Sequence, residues 1–150
     1  MAGRTDVTLA QLLRAPYRAL VHELYARLAA AGYPELQPAH AAIFPYIRDG
    51  VGRSTELAAR AGITKQSVGY LVDSLEAAGL VERRPDPQDQ RAKVVRLTAR
   101  GRAAERAATR IIAAIEAEWS RLIGPAEMRA LRAALERLNL ALAAQPSPGP

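Results

Sequence analysis

From Leu9 to Leu28 the apolar residues Leu9, Leu12, Leu13, Tyr17, Leu20, Val21, Leu24, Tyr25 and Leu28 recur every three or four positions. That is the spacing of one face of an α-helix. Pro16 interrupts the run, so the main helix either starts there or is kinked there. Gly32 and Pro34 end it, and Pro38 opens a short second helix carrying Ile43, Phe44 and Ile47 and stopping near Gly50 and Gly52. Ser54 then reads as an N-cap, with Glu56 in the first turn and Leu57 and Ala58 on an apolar face that ends at Gly62. Thr64 caps a further helix in which Val68, Leu71, Val72 and Leu75 face inward, and Gly79 supplies a left-handed stop. Two short helices separated by Ala61, Gly62 and Ile63 make a helix-turn-helix pattern.

Leu80 to Arg83 and Lys93 to Leu97 have strand character on either side of Pro85-Asp86-Pro87-Gln88-Asp89-Gln90, which predicts a hairpin with a long polar tip. Thr98 caps a long helix running to about Ile123, with Ile111, Ile112, Ile115, Trp119 and Leu122 on its apolar side. Gly124-Pro125 breaks the chain and restarts it, after which Met128, Leu131, Leu135, Leu138 and Leu142 alternate spacings of three and four. This is the a/d seam of a helix that packs on another helix. The Pro-rich tail over 145–150 is expected to be disordered. The predicted fold is therefore mostly α with a small β-hairpin wing: a winged helix-turn-helix lobe over 36–102, flanked by N- and C-terminal helices over 9–31 and 103–143, in a single domain of 1–150.

A chain of 150 residues with 49% hydrophobic content can bury one real core. A formal charge of +6 selects polyanionic partners, without separating DNA from RNA or an acidic membrane. The absence of cysteine excludes disulfides, thiolate zinc sites, cysteine nucleophiles and thiol redox sensing. Met1 to Val7 is polar, and no apolar run approaches the ~20 residues of a membrane span, so a cytoplasmic location is expected. There is no Gly-rich phosphate loop, nucleophile elbow, HExxH pair or Ser-His-Asp order, so neither enzymatic activity nor a cofactor is expected. His22 and His40 lack the clustered ligands of a metal site.

The exposed start of the helix after Thr64 presents groups that reach base edges in a major groove. Lys65 suits phosphate, Gln66 suits a bidentate contact to adenine, and Ser67 and Tyr70 suit either base or backbone. Ser54 and Thr64, at the two helix starts, belong to the same candidate DNA surface. Gly69 costs roughly 1 kcal/mol relative to Ala in mid-helix, which suggests close approach of another surface. Between Val81 and Arg102 seven basic residues face three acidic ones. Arg84, Arg91 and Lys93 are the wing's candidate contacts, with Arg91 at the hairpin tip suited to a narrow minor groove.

The segment from Ser54 to Gly101, STELAARAGITKQSVGYLVDSLEAAGLVERRPDPQDQRAKVVRLTARG, resembles the MarR family of bacterial regulators. The likeness lies in the TELA helix, the GIT turn, LVDSLEAAGLVER, the DPxD wing tip and the LTxxG closure. The flanking helices fit the family by pattern rather than by motif. One departure stands in the wing: where the family has DPxDRR, Asp89 is kept but Gln90 replaces the first arginine.

The resemblance implies a winged-helix homodimer controlled by a small aromatic or phenolic ligand. In the family such ligands lie between the dimerisation helices and the DNA-binding lobe, which points to Tyr17, His22, Tyr25, His40, Phe44 and Trp119 as effector contacts. Ala41 stands near a position that is often bulky in relatives. The Leu-rich first helix and the C-terminal seam exceed the needs of a small core, which argues for dimerisation. A dimer spans half-sites about 10 bp apart, or a multiple, in a pseudo-palindromic operator. The expected activity is that of a sequence-specific regulator, a repressor released by its ligand. The alternative is a basic architectural protein that coats DNA with little sequence preference.

Overall fold

A computed structural model describes residues 7–145. The polar start and the Pro-rich end lie outside the described residues, apart from Val7 and Gln145. The elements are α1 (Leu9–Ala30), a 3-10 helix (Pro38–Ala42), α2 (Phe44–Arg48), α3 (Ser54–Ala61), α4 (Lys65–Ala77), β1 (Val81–Asp86), β2 (Asp89–Leu97), α5 (Ala99–Ile123) and α6 (Pro125–Ala143). The chain forms two compact units, one running to Ile112 and one starting at Ala113, so that the division falls inside α5.

α1 begins at Leu9, where Thr8 and Gln11 form a reciprocal capping box. Pro16 therefore lies inside the helix and does not start it; lacking an N–H, it leaves the Leu12 carbonyl without its helical partner. The expected second helix is split into the 3-10 helix and α2, with Ile43 between them at φ −123°. The cause is Pro45, whose missing N–H and ring prevent one helix from running through. α3 begins one residue earlier than expected: Arg53 occupies the N-cap, without a side-chain cap bond, and Ser54 is already helical. Gly62, at φ 64°, makes the left-handed turn into α4. There Thr64 caps as expected, its hydroxyl accepting the Ser67 N–H at 3.1 Å.

The apolar faces of α3 and α4 meet in a core that includes Leu57, Val68, Val72 and Leu75, together with Leu28, Ile43, Leu80 and Val95. β1 and β2 form an antiparallel pair from Val81 opposite Leu97 to Pro85 opposite Lys93. Asp86 then pairs with Asp89, so Gln90, Arg91 and Ala92 bulge from β2 with no counterpart on β1. The turn is thus Pro87-Gln88 alone, not the long polar tip that the composition suggests. At the closure of the lobe, Thr98 Oγ1 accepts the Gly101 N–H at 3.0 Å. Gly101 packs so tightly that a Cβ there would lie 1.9 Å from the Leu80 carbonyl oxygen.

In the second unit, Arg132 on α6 donates to Glu116 on α5 at 2.6 Å. No residue of α6 is buried, and Leu131, Leu138, Leu140 and Leu142 are all exposed. No helix among the described residues is long and apolar enough to cross a membrane.

Candidate nucleic-acid interface

The N-terminal turn of α4 is held by Thr64, whose hydroxyl also meets the Ser67 hydroxyl at 2.8 Å. Val68, Val72 and Leu75 turn inward, which leaves Lys65, Gln66, Ser67 and Tyr70 exposed on the other side. Gln66 and Tyr70 are one helical turn apart, and Tyr70 is 76% exposed, far more than a tyrosine in core packing. A Cβ on Gly69 would meet nothing within 4 Å. Among the described residues, then, no neighbouring element packs against the site where a side chain at this position would stand.

The basic residues of the wing and of the start of α5 divide into two groups. Arg83 is turned back onto α4, donating to Asp73 at 2.5 Å and to Glu76. Arg100 reaches Glu35 at 2.9 Å, donates to the Gly32 and Ala78 carbonyls, and lies 5.3 Å from the Tyr33 ring centre. Arg102 donates to the Leu97 carbonyl at 2.8 Å. These three arginines hold the lobe together. Arg91, Lys93 and Arg96 are exposed along β2, and Arg84, paired with Glu82 at 2.9 Å, remains exposed on β1. Asp89 Oδ1 accepts the backbone N–H of Arg91 at 3.1 Å, which fixes the bulge from which that arginine projects.

Sequence reasoning missed Arg53. Its Nε donates at 2.7 Å to Asp86 Oδ2, and its Nη2 pairs with the same oxygen. Asp86 is the one buried carboxylate among the described residues, and its other oxygen accepts the Gln88 N–H at 2.9 Å. That backbone hydrogen bond, followed by the Arg53 contact, lowers the Asp86 carboxyl below its ordinary pKa. No local signal joins the two residues, which are 33 positions apart. The pair stands in the wall of an open groove of about 1030 Å³ lined by the wing, the Gly52–Arg53 segment and the start of α5.

The expected effector contacts are not gathered in one place. Tyr17 and His22 line an open groove of about 650 Å³ with Ala15, Arg18, Val21 and Pro38. His40 is buried elsewhere: its Nδ1 accepts the Gln37 N–H at 3.0 Å, so the ring proton sits on Nε2, 3.2 Å from Ser74 Oγ. Burial pushes the His40 pKa down. Tyr25 and Phe44 pack against the core, and burial raises the Tyr25 phenol. Trp119 lies on the part of α5 that belongs to the second unit. No group of His, Asp and Glu able to hold a metal occurs among the described residues.

Residues 36–92 match the model of the MarR family. A structure of the transcriptional repressor CouR bound to a 23-mer DNA duplex is similar to this chain at 26% identity, with a TM-score of 0.71, over 93% of this chain and 97% of that one. A MarR family protein of Mycobacterium tuberculosis in complex with salicylic acid is similar at 29% identity, TM-score 0.68, over 89% and 98%. The fold is shared with wild-type MarR of E. coli in its apo form, at 21% identity, TM-score 0.71, over 88% and 97%. Among curated proteins no sequence match is found.

Proposed function

We propose that this chain, whose residues 36–92 match the model of the MarR family, is a homodimeric, sequence-specific DNA-binding regulator that represses transcription until a small ligand releases it. The observation that carries this reading is the exposed start of α4, where Lys65, Gln66 and Tyr70 stand free of the core, together with Arg91, Lys93 and Arg96 exposed on the wing. Gln66 reads a base edge in the major groove, Lys65 neutralises phosphate, and Arg91 enters the minor groove. Ser67, Thr64 and Ser54 supply hydroxyls at the two helix starts.

Dimerisation is supported by α6, whose Leu131, Leu138 and Leu142 follow the a/d spacing and are all exposed in the single chain. A dimer brings two recognition helices to successive major grooves, and occupying the operator blocks polymerase without a further partner. For the effector we infer a small aromatic acid or phenol. The salicylic acid complex of a relative supports that class, as does the groove where Arg18 lies beside Tyr17 and His22.

Fluorescence anisotropy tests the reading, comparing DNA from upstream of the protein's own gene with a shuffled duplex across a salt series. A preference of ~10³-fold or more at physiological salt is expected. Equal binding to that duplex and to duplexes selected from a random pool points instead to a nonspecific coating protein.

A further inference from the structure

We propose that Arg53 and Asp86 form a positioning clamp that sets the wing, and Arg91 with it, at a fixed place relative to the recognition helix. This rests on the DNA-binding reading above, and Arg53 and Asp86 act through Arg91 rather than by touching DNA.

The argument follows the connections outward from α3. Arg53 stands immediately before α3, and α3 leads through the Gly62 turn into α4, so Arg53 belongs to the rigid body that carries Gln66. Its guanidinium holds the carboxylate of Asp86, the last residue of β1. Asp86 pairs across the turn with Asp89, and Asp89 in turn accepts the backbone N–H of Arg91. An unbroken path of ladder and hydrogen bonds thus runs from the helix-turn-helix to the bulge that presents Arg91.

A two-stranded ribbon without such a tie is marginal on its own and free to twist. Arg83 pins the base of this ribbon to α4, and the Val95 N–H pins β2 to the Gly52 carbonyl at 2.8 Å. The Arg53 contact is made at the end of β1, where the turn begins, next to the bulge. A buried carboxylate without its cationic partner is costly, so the pair holds one geometry rather than sampling several.

The sign of one substitution separates this clamp from simple electrostatics. Asp86→Asn removes a negative charge near the duplex, which by charge alone tightens DNA binding. The clamp predicts the opposite.

The experiment uses the full chain and a duplex recovered by the wild-type protein from a random pool, with a shuffled version as control. Wild type, Arg91→Ala, Asp86→Asn and the double variant are compared by anisotropy over a salt series, with thermal melts to confirm folding. Arg91→Ala and Asp86→Asn are each expected to weaken binding roughly tenfold with the same reduced salt slope. The double variant loses no more than about twofold beyond Arg91→Ala, because both act on one contact. Arg53→Lys keeps most of the affinity. If Asp86→Asn does not fold, Arg53→Gln takes its place in the cycle. Folded Asp86→Asn, or Arg53→Gln in its place, that binds like wild type or tighter, or additive losses in the double variant, overturns the clamp. Wild type that fails to separate the selected duplex from the shuffled one defeats the DNA-binding reading itself, and the clamp with it.

Discussion

Two glycines in helices of this chain should respond to the same substitution with opposite signs. Gly69 lies in the middle of α4, and an added Cβ meets nothing within 4 Å. Alanine there gains helix propensity of ~1 kcal/mol with no steric cost. For a chain of this size that raises Tm by roughly 2–4 °C. Gly101 lies in the first turn of α5, and its added Cβ would come 1.9 Å from the Leu80 carbonyl oxygen, an atom of rigid backbone. Any propensity gain is then outweighed by overpacking, which costs about 1–3 kcal/mol and more when backbone must move. Thermal melts followed by circular dichroism measure both. Gly69→Ala should melt higher than wild type yet bind the selected duplex more weakly, because its methyl projects on the Gln66 side of α4, the side proposed to face DNA. A lowered Tm for Gly69→Ala, or an unchanged one for Gly101→Ala, refutes the reasoning.

Acid should destabilise the fold through His40. Burial lowers its pKa in the folded chain, so the unfolded chain binds the extra proton first, and stability falls as pH drops below about 6.5. Urea midpoints at about pH 7.5 and about pH 5.5 should differ in the wild type and converge in His40→Gln; equal wild-type midpoints contradict this. Charge on the α6 seam should split the proposed dimer. Sedimentation of Leu131→Glu/Leu138→Glu should give the monomer mass where wild type gives twice that mass, and a dimeric double variant places the interface elsewhere.

The helix-turn-helix was legible in the sequence because its signals are local. Thr64 three residues before Ser67, Gly62 at the turn, and Val68, Val72 and Leu75 at helical spacing mark element and core face together. The wing's register was not legible. Six polar or proline residues from Pro85 to Gln90 look like one long loop, and only cross-strand pairing shows that Asp86 and Asp89 close a two-residue turn with a bulge behind it. The arginines looked alike in the sequence, yet Arg83, Arg100 and Arg102 serve the fold while Arg91, Lys93 and Arg96 stay exposed. Charge counts alone cannot divide them. His40 is an expected effector contact through the family resemblance, whereas its bond to Gln37 and its place beside Ser74 depend on burial that no periodicity reports.

The central claim is that two copies of this chain read DNA sequence through the start of α4. Selection of binding sites from a random duplex pool, run in parallel for wild type and Gln66→Ala, tests it most directly. Wild type should return an inverted repeat with half-sites about 10 bp apart or a multiple, and Gln66→Ala should relax one base position symmetrically in both halves. Recovery of no shared motif by the wild-type protein, or an identical motif from both proteins, contradicts the account.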